Sequence, residues 1–168
     1  ARTWGPRGVT PILTVAGRGG RRMSVAGMVA YKPGQRARLL YRLMLHRGRK
    51  GEPKGFAEAQ FAEMIDAAHQ QLGGPIVLIW DGLPAHKSRR MRKMIAARHW
   101  LRVYQLPAYA PELNPTENVW SNMKRGMANL AAGTITDLAR TARKRLKTMQ
   151  YRPGLINGFL NATGLAPP

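Results

Sequence analysis

The chain has 168 residues, 44% of them hydrophobic, with 28 Lys or Arg against 8 Asp or Glu and a formal net charge of +20. That length and hydrophobic share suit one globular domain and exclude a disordered basic tail, and no apolar run is long enough for a spanning helix or signal peptide. There are no cysteines, which excludes disulfides and thiolate metal sites and suits a reducing compartment.

So large a positive excess repels itself, and a polyanion relieves it. DNA or RNA is the leading partner; a membrane surface is the weaker one, since no strongly amphipathic terminal helix is present. Residues 1–51 hold twelve Lys or Arg and no acid. The chain opens on Ala1 and runs directly into Arg2-Thr3-Trp4-Gly5-Pro6, which reads as a piece of a longer protein.

In chain order, residues 1–10 are punctuated by Gly and Pro and read as irregular. Residues 11–16 form a candidate strand, ended by a Gly17-Arg18-Gly19-Gly20 turn. Residues 23–31 alternate Met23, Val25, Gly27, Val29 and Tyr31 on one face. After a turn at Lys32-Pro33-Gly34-Gln35, residues 38–45 alternate Leu39, Tyr41, Leu43 and Leu45 against Arg38 and Arg42, which predicts an antiparallel hairpin. A basic, glycine-rich loop covers 47–55, and Phe61, Met64, Ile65, Ala68 and Leu72 predict a helix over 56–72, stopped by Gly73-Gly74. Residues 76–80 are a continuous apolar run, the pattern of a strand covered on both faces. A basic helix is expected over about 87–98, a strand over 101–106, and a rigid loop over 107–111. Asn114 opens a helix to about 131, and 136–149 form a further basic helix. The order predicts an α/β or α+β sheet with helical cover.

Several chemistries fail on inspection. His46, His69, His86 and His99 lack metal-ligand spacing, and the Gly17–Gly20 run lacks the Gly-Lys-Ser/Thr ending of a P-loop. No serine sits in a nucleophile elbow. Two acids remain. Asp81 ends the apolar strand, where open α/β sheets place ligands, although Asp81-Gly82 also suits a turn or helix cap. Glu117 stands three residues after Asn114 and two after Pro115, the pattern of a capping box, in which its carboxylate reaches back to the Asn114 amide. The functional alternative aims both carboxylates into one crevice to hold a divalent cation, with Arg and Lys holding phosphates. Phosphodiester chemistry needs such hard oxygen donors.

The run Leu106-Pro107-Ala108-Tyr109-Ala110-Pro111-Glu112-Leu113-Asn114-Pro115-Thr116-Glu117-Asn118-Val119-Trp120 resembles the signature of mariner-like DDE transposases of bacterial insertion sequences. Family members read Leu-Pro-x-Tyr-Ser/Ala-Pro-Glu/Asp-Leu-Asn-Pro-x-Glu-x-x-Trp here. The apolar run into Asp81, then His86, also resembles the family, as do the 35 residues between Asp81 and Glu117 and the segment Arg2-Thr3-Trp4-Gly5-Pro6-Arg7-Gly8. The resemblance spans nearly the whole chain.

It implies an RNase H-like mixed sheet with flanking helices, its first three strands antiparallel, over a catalytic domain of residues 1–168 truncated at its start. Asp81 and Glu117 would be the second and third members of the catalytic, metal-binding triad, with two Mg2+ or Mn2+ ions as cofactors. The first Asp, on an opening strand, and a helix-turn-helix would come from an upstream segment. Without that Asp the fragment alone would be inactive, and its open sheet edge would make it behave poorly in isolation. The partners implied are DNA, as transposon ends and target, and further copies of the chain in the active complex; no membrane is involved. The setting implied is the bacterial cytoplasm, at the nucleoid.

Nucleic-acid contacts are expected at His86, Lys124, Arg125, Arg140, Arg143 and Lys144; the alternative is a local structural role for His86 and a solvated helix face for Lys124 and Arg125, while the 136–149 helix is a broader phosphate contact without base specificity. Trp4, Trp80 and Trp120 read as core packing ahead of base-stacking platforms. Gly82 stands where the family usually has Asn. Two rivals are kept: a catalytically inert DNA-binding remnant, and a ribosome-associated basic protein.

Overall fold

A computed structural model of the chain describes residues 21–127 and 134–164. The elements are β1 (Arg22–Ala30), β2 (Arg38–His46), α1 (Glu58–Leu72), β3 (Ile76–Trp80), α2 (Pro84–Lys87), α3 (Arg89–Ala96), β4 (Leu101–Gln105), α4 (Pro115–Arg125), α5 (Ile135–Gln150) and α6 (Pro153–Asn161). The expected strand over 11–16, the Gly17–Gly20 turn, Trp4 and the tail of the helix expected to reach 131 lie outside the described residues.

β1 and β2 form the predicted antiparallel hairpin, from Arg22 opposite His46 to Ala30 opposite Arg38. Its turn closes through the Gln35 amide on the Lys32 carbonyl at 3.0 Å, with Gly34 at φ 72°. Lys32 Nζ donates to the carbonyls of Leu72 (3.2 Å) and Gly73 (3.0 Å). A cation there satisfies orphan carbonyls at the negative end of α1 and fastens the hairpin tip to it.

The hairpin serves two cores. Met23, Val25, Val29, Leu39, Tyr41 and Leu43, from the apolar faces read in the sequence, pack against α4, α5 and α6 around Val119, Leu146 and Ile156. Ala26, Met28, Ala30 and Leu40 face the other way, toward α1, α3 and the second pair of strands. Gly27 lets the Trp120 ring lie on the sheet, because a Cβ there would come within 2.6 Å of Trp120 Cη2. Trp120 is therefore packing, as expected.

β3 and β4 pair in parallel, Ile76 opposite Leu101 through Trp80 opposite Gln105. Ile76, Leu78 and Trp80 are buried, but Val77 and Ile79 are 65% and 51% exposed. This corrects the expectation of cover on both faces. α1 and α3 cover one face of this pair, whereas α4, α5 and α6 pack onto the hairpin instead. A second correction concerns the basic helix expected over 87–98. Ser88 is extended (φ −61°, ψ 152°) and its hydroxyl accepts the Met91 amide at 3.0 Å, so a cap splits the stretch into α2 and α3.

Among the described residues the strands form two separate two-stranded sheets. Between them runs a cavity of about 650 Å3, walled by residues 25–30 of β1 and 76–80 of β3. Consecutive residues of both strands line it, so it lies along their facing edges and not above one face.

Candidate active site

At the carboxyl end of β3, Asp81 lines the cavity together with Asn114, which caps α4, and Pro115 and Thr116, which begin it. Asp81 Oδ1 accepts the Leu83 amide (3.2 Å) and lies 2.9 Å from His86 Nδ1. The turn role read from Asp81-Gly82 is thus real, but it occupies one oxygen only. Oδ2 has no partner among the described residues, and the side chain is 46% exposed.

His86 is 8% exposed. Its ring stacks on Trp80 at 4.1 Å and 1°, and meets Phe61 edge-on at 4.7 Å. Nδ1 also lies 3.2 Å from the Asp81 carbonyl. The histidine expected at the nucleic acid is therefore turned inward, where it fixes the Asp81 carboxylate. Its Nε2, like Trp80 Nε1, is buried without a hydrogen-bond partner among the described residues.

Glu117 sits in the first turn of α4 and is exposed. The capping box does not form. The Asn114 amide donates to the Pro111 carbonyl at 3.0 Å, while Asn114 Oδ1 accepts the Thr116 amide (3.2 Å) and hydroxyl (2.6 Å). Asn114 caps the helix alone, and the Glu117 carboxylate makes no hydrogen bond or ion pair among the described residues. Pro107 to Pro111 carry the chain from β4 to this helix, and Tyr109 between them takes a left-handed φ of 59°.

Asp81 thus has a free oxygen in the lining of the crevice, and Glu117, exposed and without a partner among the described residues, follows Thr116, which lines it too. Both carboxylates are hard donors, the type that magnesium or manganese takes. No group of three or more potential metal-binding side chains is found among the described residues.

The remaining expected cations divide by location. Lys124 and Arg125 end α4, about 10 Å along the helix from Glu117 at 1.5 Å per residue. Arg145 of α5 reaches the same end, where a Cβ on Gly126 would lie 3.0 Å from its Cζ; the sequence reading had placed it only on a generally basic helix. Arg143 and Lys144 are exposed on α5. Arg140 is exposed too, but its guanidinium bonds Asp137 at 2.6 Å, which partly spends its charge within the helix. Lys87, which the sequence offers only as one cation of the basic helix over 87–98, reaches Gly82, where a Cβ would lie 2.7 Å from its Nζ.

No helix among the described residues is long and apolar enough to cross a membrane. Two solved structures of the Mos1 transposase catalytic domain, with raltegravir and manganese or magnesium, match this chain with TM-scores of 0.55 and 0.54 at 13% identity. They cover 84% of this chain, and 78% and 79% of theirs is covered in return. That likeness defines the fold class, a mixed α/β, RNase H-like arrangement. The sequence profile of the DDE superfamily endonucleases matches residues 1–139, and the chain belongs to that family. No protein of curated function matches it in sequence.

Proposed function

We propose that residues 1–168 are the catalytic domain of a mariner-like DDE transposase, a DNA endonuclease and strand-transfer enzyme. The observation that carries this reading is the crevice at the end of β3, where Asp81, with Oδ2 free, lines the wall together with Asn114, Pro115 and Thr116, the residues directly before the unpartnered Glu117. Membership of the endonuclease family and a charge of +20 fit the same reading.

In the first step a water oxygen bonds to phosphorus and the 3′ oxygen leaves, giving a 3′ hydroxyl and a 5′ phosphate. In the second, that hydroxyl attacks a phosphodiester of target DNA, and another 3′ oxygen leaves. No covalent enzyme intermediate is needed. Asp81 and Glu117 are the residues that would hold a pair of magnesium or manganese ions, which when bound activate the attacking oxygen and stabilise the leaving one. The chain's own part is orientation. His86 and the Leu83 amide fix one oxygen of Asp81, Asn114 fixes the start of α4, and the basic side chains of α4 and α5 hold the DNA backbone.

An upstream strand carrying the first Asp, and beyond it a helix-turn-helix, complete the domain in this proposal. Support comes from the cavity between β1 and β3, from the unpartnered Trp80 Nε1 and His86 Nε2 in its wall, and from the lack of any acid in residues 1–51. Each buried orphan costs about 1–3 kcal/mol, which an arriving strand would offset by pairing it. Further copies of the chain would assemble with it on the two transposon ends.

The test is divalent-metal nicking of terminal-repeat DNA by residues 1–168 and by a form extended upstream. The extended form should cleave and the shorter one should not, with Asp81→Asn and Glu117→Gln each abolishing cleavage. Cleavage by neither form overturns the enzyme and leaves an inert DNA-binding remnant. Equal affinity for structured RNA, with metal affinity indifferent to Asp81→Ala, would instead mark a ribosome-associated protein.

A further inference from the structure

Gly82 follows Asp81, and its backbone gives no reason for a glycine, since it is not among the residues with positive φ. Space gives the reason. A Cβ at Gly82 would lie 2.7 Å from Lys87 Nζ and 3.0 Å from its Cε, so the end of the lysine rests in the volume that any larger residue would fill. Lys87 closes α2, the short helix whose His86 is locked by Trp80 and by Asp81. Its backbone is therefore fixed relative to the crevice. The ammonium makes no hydrogen bond or ion pair among the described residues; Asp81, the residue before Gly82, bonds His86 and the Leu83 amide through Oδ1. An uncompensated cation is thus laid across Gly82, the residue between Asp81 and Leu83 of the cavity wall.

We propose that Lys87 is a positioning residue that binds a backbone phosphate of the DNA strand entering the site, and that residue 82 is glycine to admit its ammonium. This rests on the reading of the crevice as a DNA-cleaving site. An ammonium is a compact point charge with three donors, suited to a phosphate oxygen and indifferent to base sequence.

Binding of a labelled terminal-repeat duplex by the full-length protein, followed over a salt series, tests the proposal. Lys87→Ala should lower the slope of log affinity against log salt by about 0.9, the value of one phosphate contact. Gly82→Ala should lower it equally, because its methyl displaces the ammonium, and should leave the melting temperature unchanged, because the displaced group is the mobile end of a side chain. The double variant should lose no more than either single one. A Lys87→Ala slope equal to the wild-type value, an unaffected Gly82→Ala, or losses that sum in the double variant would each overturn it. Asp81→Asn separates the two levels. If it abolishes metal-dependent nicking while the Lys87 variants bind normally, only the lysine inference fails; if nicking survives it, the reading of the site fails.

Discussion

Glu117 and Asn114 divide roles that the sequence pattern had merged. The spacing of Asn, Pro and Glu describes a capping box well, but the Pro111 carbonyl reaches the Asn114 amide first, at 3.0 Å. A local pattern cannot show what the preceding turn will offer. Asn114→Ala should therefore cost about 1 kcal/mol of stability, whereas Glu117→Gln should melt with the wild type while losing metal-dependent cleavage. Calorimetry beside a nicking assay checks both, and a Glu117→Gln chain that melts early would return Glu117 to a structural role. A second pair of residues concerns acid stability. Arg98 hydrogen bonds hold the Asp66 carboxyl below its ordinary value, against burial, which pushes it up. The unfolded chain then binds that proton more tightly than the native one. The contribution is full above the ordinary Asp value near 3.9 and is lost as pH falls through the lower native value. Urea midpoints measured from about pH 5 down to about pH 3 should fall less steeply in Asp66→Asn than in the wild type.

Periodicity made most elements legible, because burial on one face repeats at a fixed interval. The hairpin, α1 and α5 lie close to where alternation and helical spacing put them. Reading failed where a single residue decides. Ser88 divides one basic stretch into two helices, and no element was expected where α6 forms, opening on Pro153 and Gly154. Proline is in fact suited to a first helical turn, and Leu155, Ile156, Phe159 and Leu160 then supply an apolar face, with Ile156 and Phe159 buried. Motif and position single out Asp81 and Glu117 as the proposed ligands, but not the Lys87–Gly82 contact, which depends on a side chain folding back five residues. At this scale the closest fit is between β1 and α4. Gly27→Ala would drive a methyl to 2.6 Å from the Trp120 ring, which is rigid and held in the core, so overpacking of about 1–3 kcal/mol is expected. Chemical denaturation measures it. Recovery of that loss in Gly27→Ala/Trp120→Leu would confirm that the ring is the obstacle.

For the whole molecule, the divided sheet sets behaviour in solution. Among the described residues β1 and β3 line a cavity of about 650 Å3 and are not paired with each other, and open edges there would template pairing with other chains. Val77, Ile79 and Tyr104 add exposed apolar surface on the same pair of strands. A strand inserted between β1 and β3 would join the two pairs into one sheet. Residues 1–168 alone should therefore self-associate at moderate concentration, while a chain extended upstream should stay monodisperse before DNA is added. Edge amides of β1 and β3 should exchange with deuterium quickly in the shorter form and slowly in the longer one, because only pairing or burial protects them. Light scattering and hydrogen exchange on the two forms give the answer. Monodisperse, thermally robust residues 1–168 with protected edges would mean that the present chain fills the gap itself, and the source of the first carboxylate would then have to be sought elsewhere than on an inserted strand.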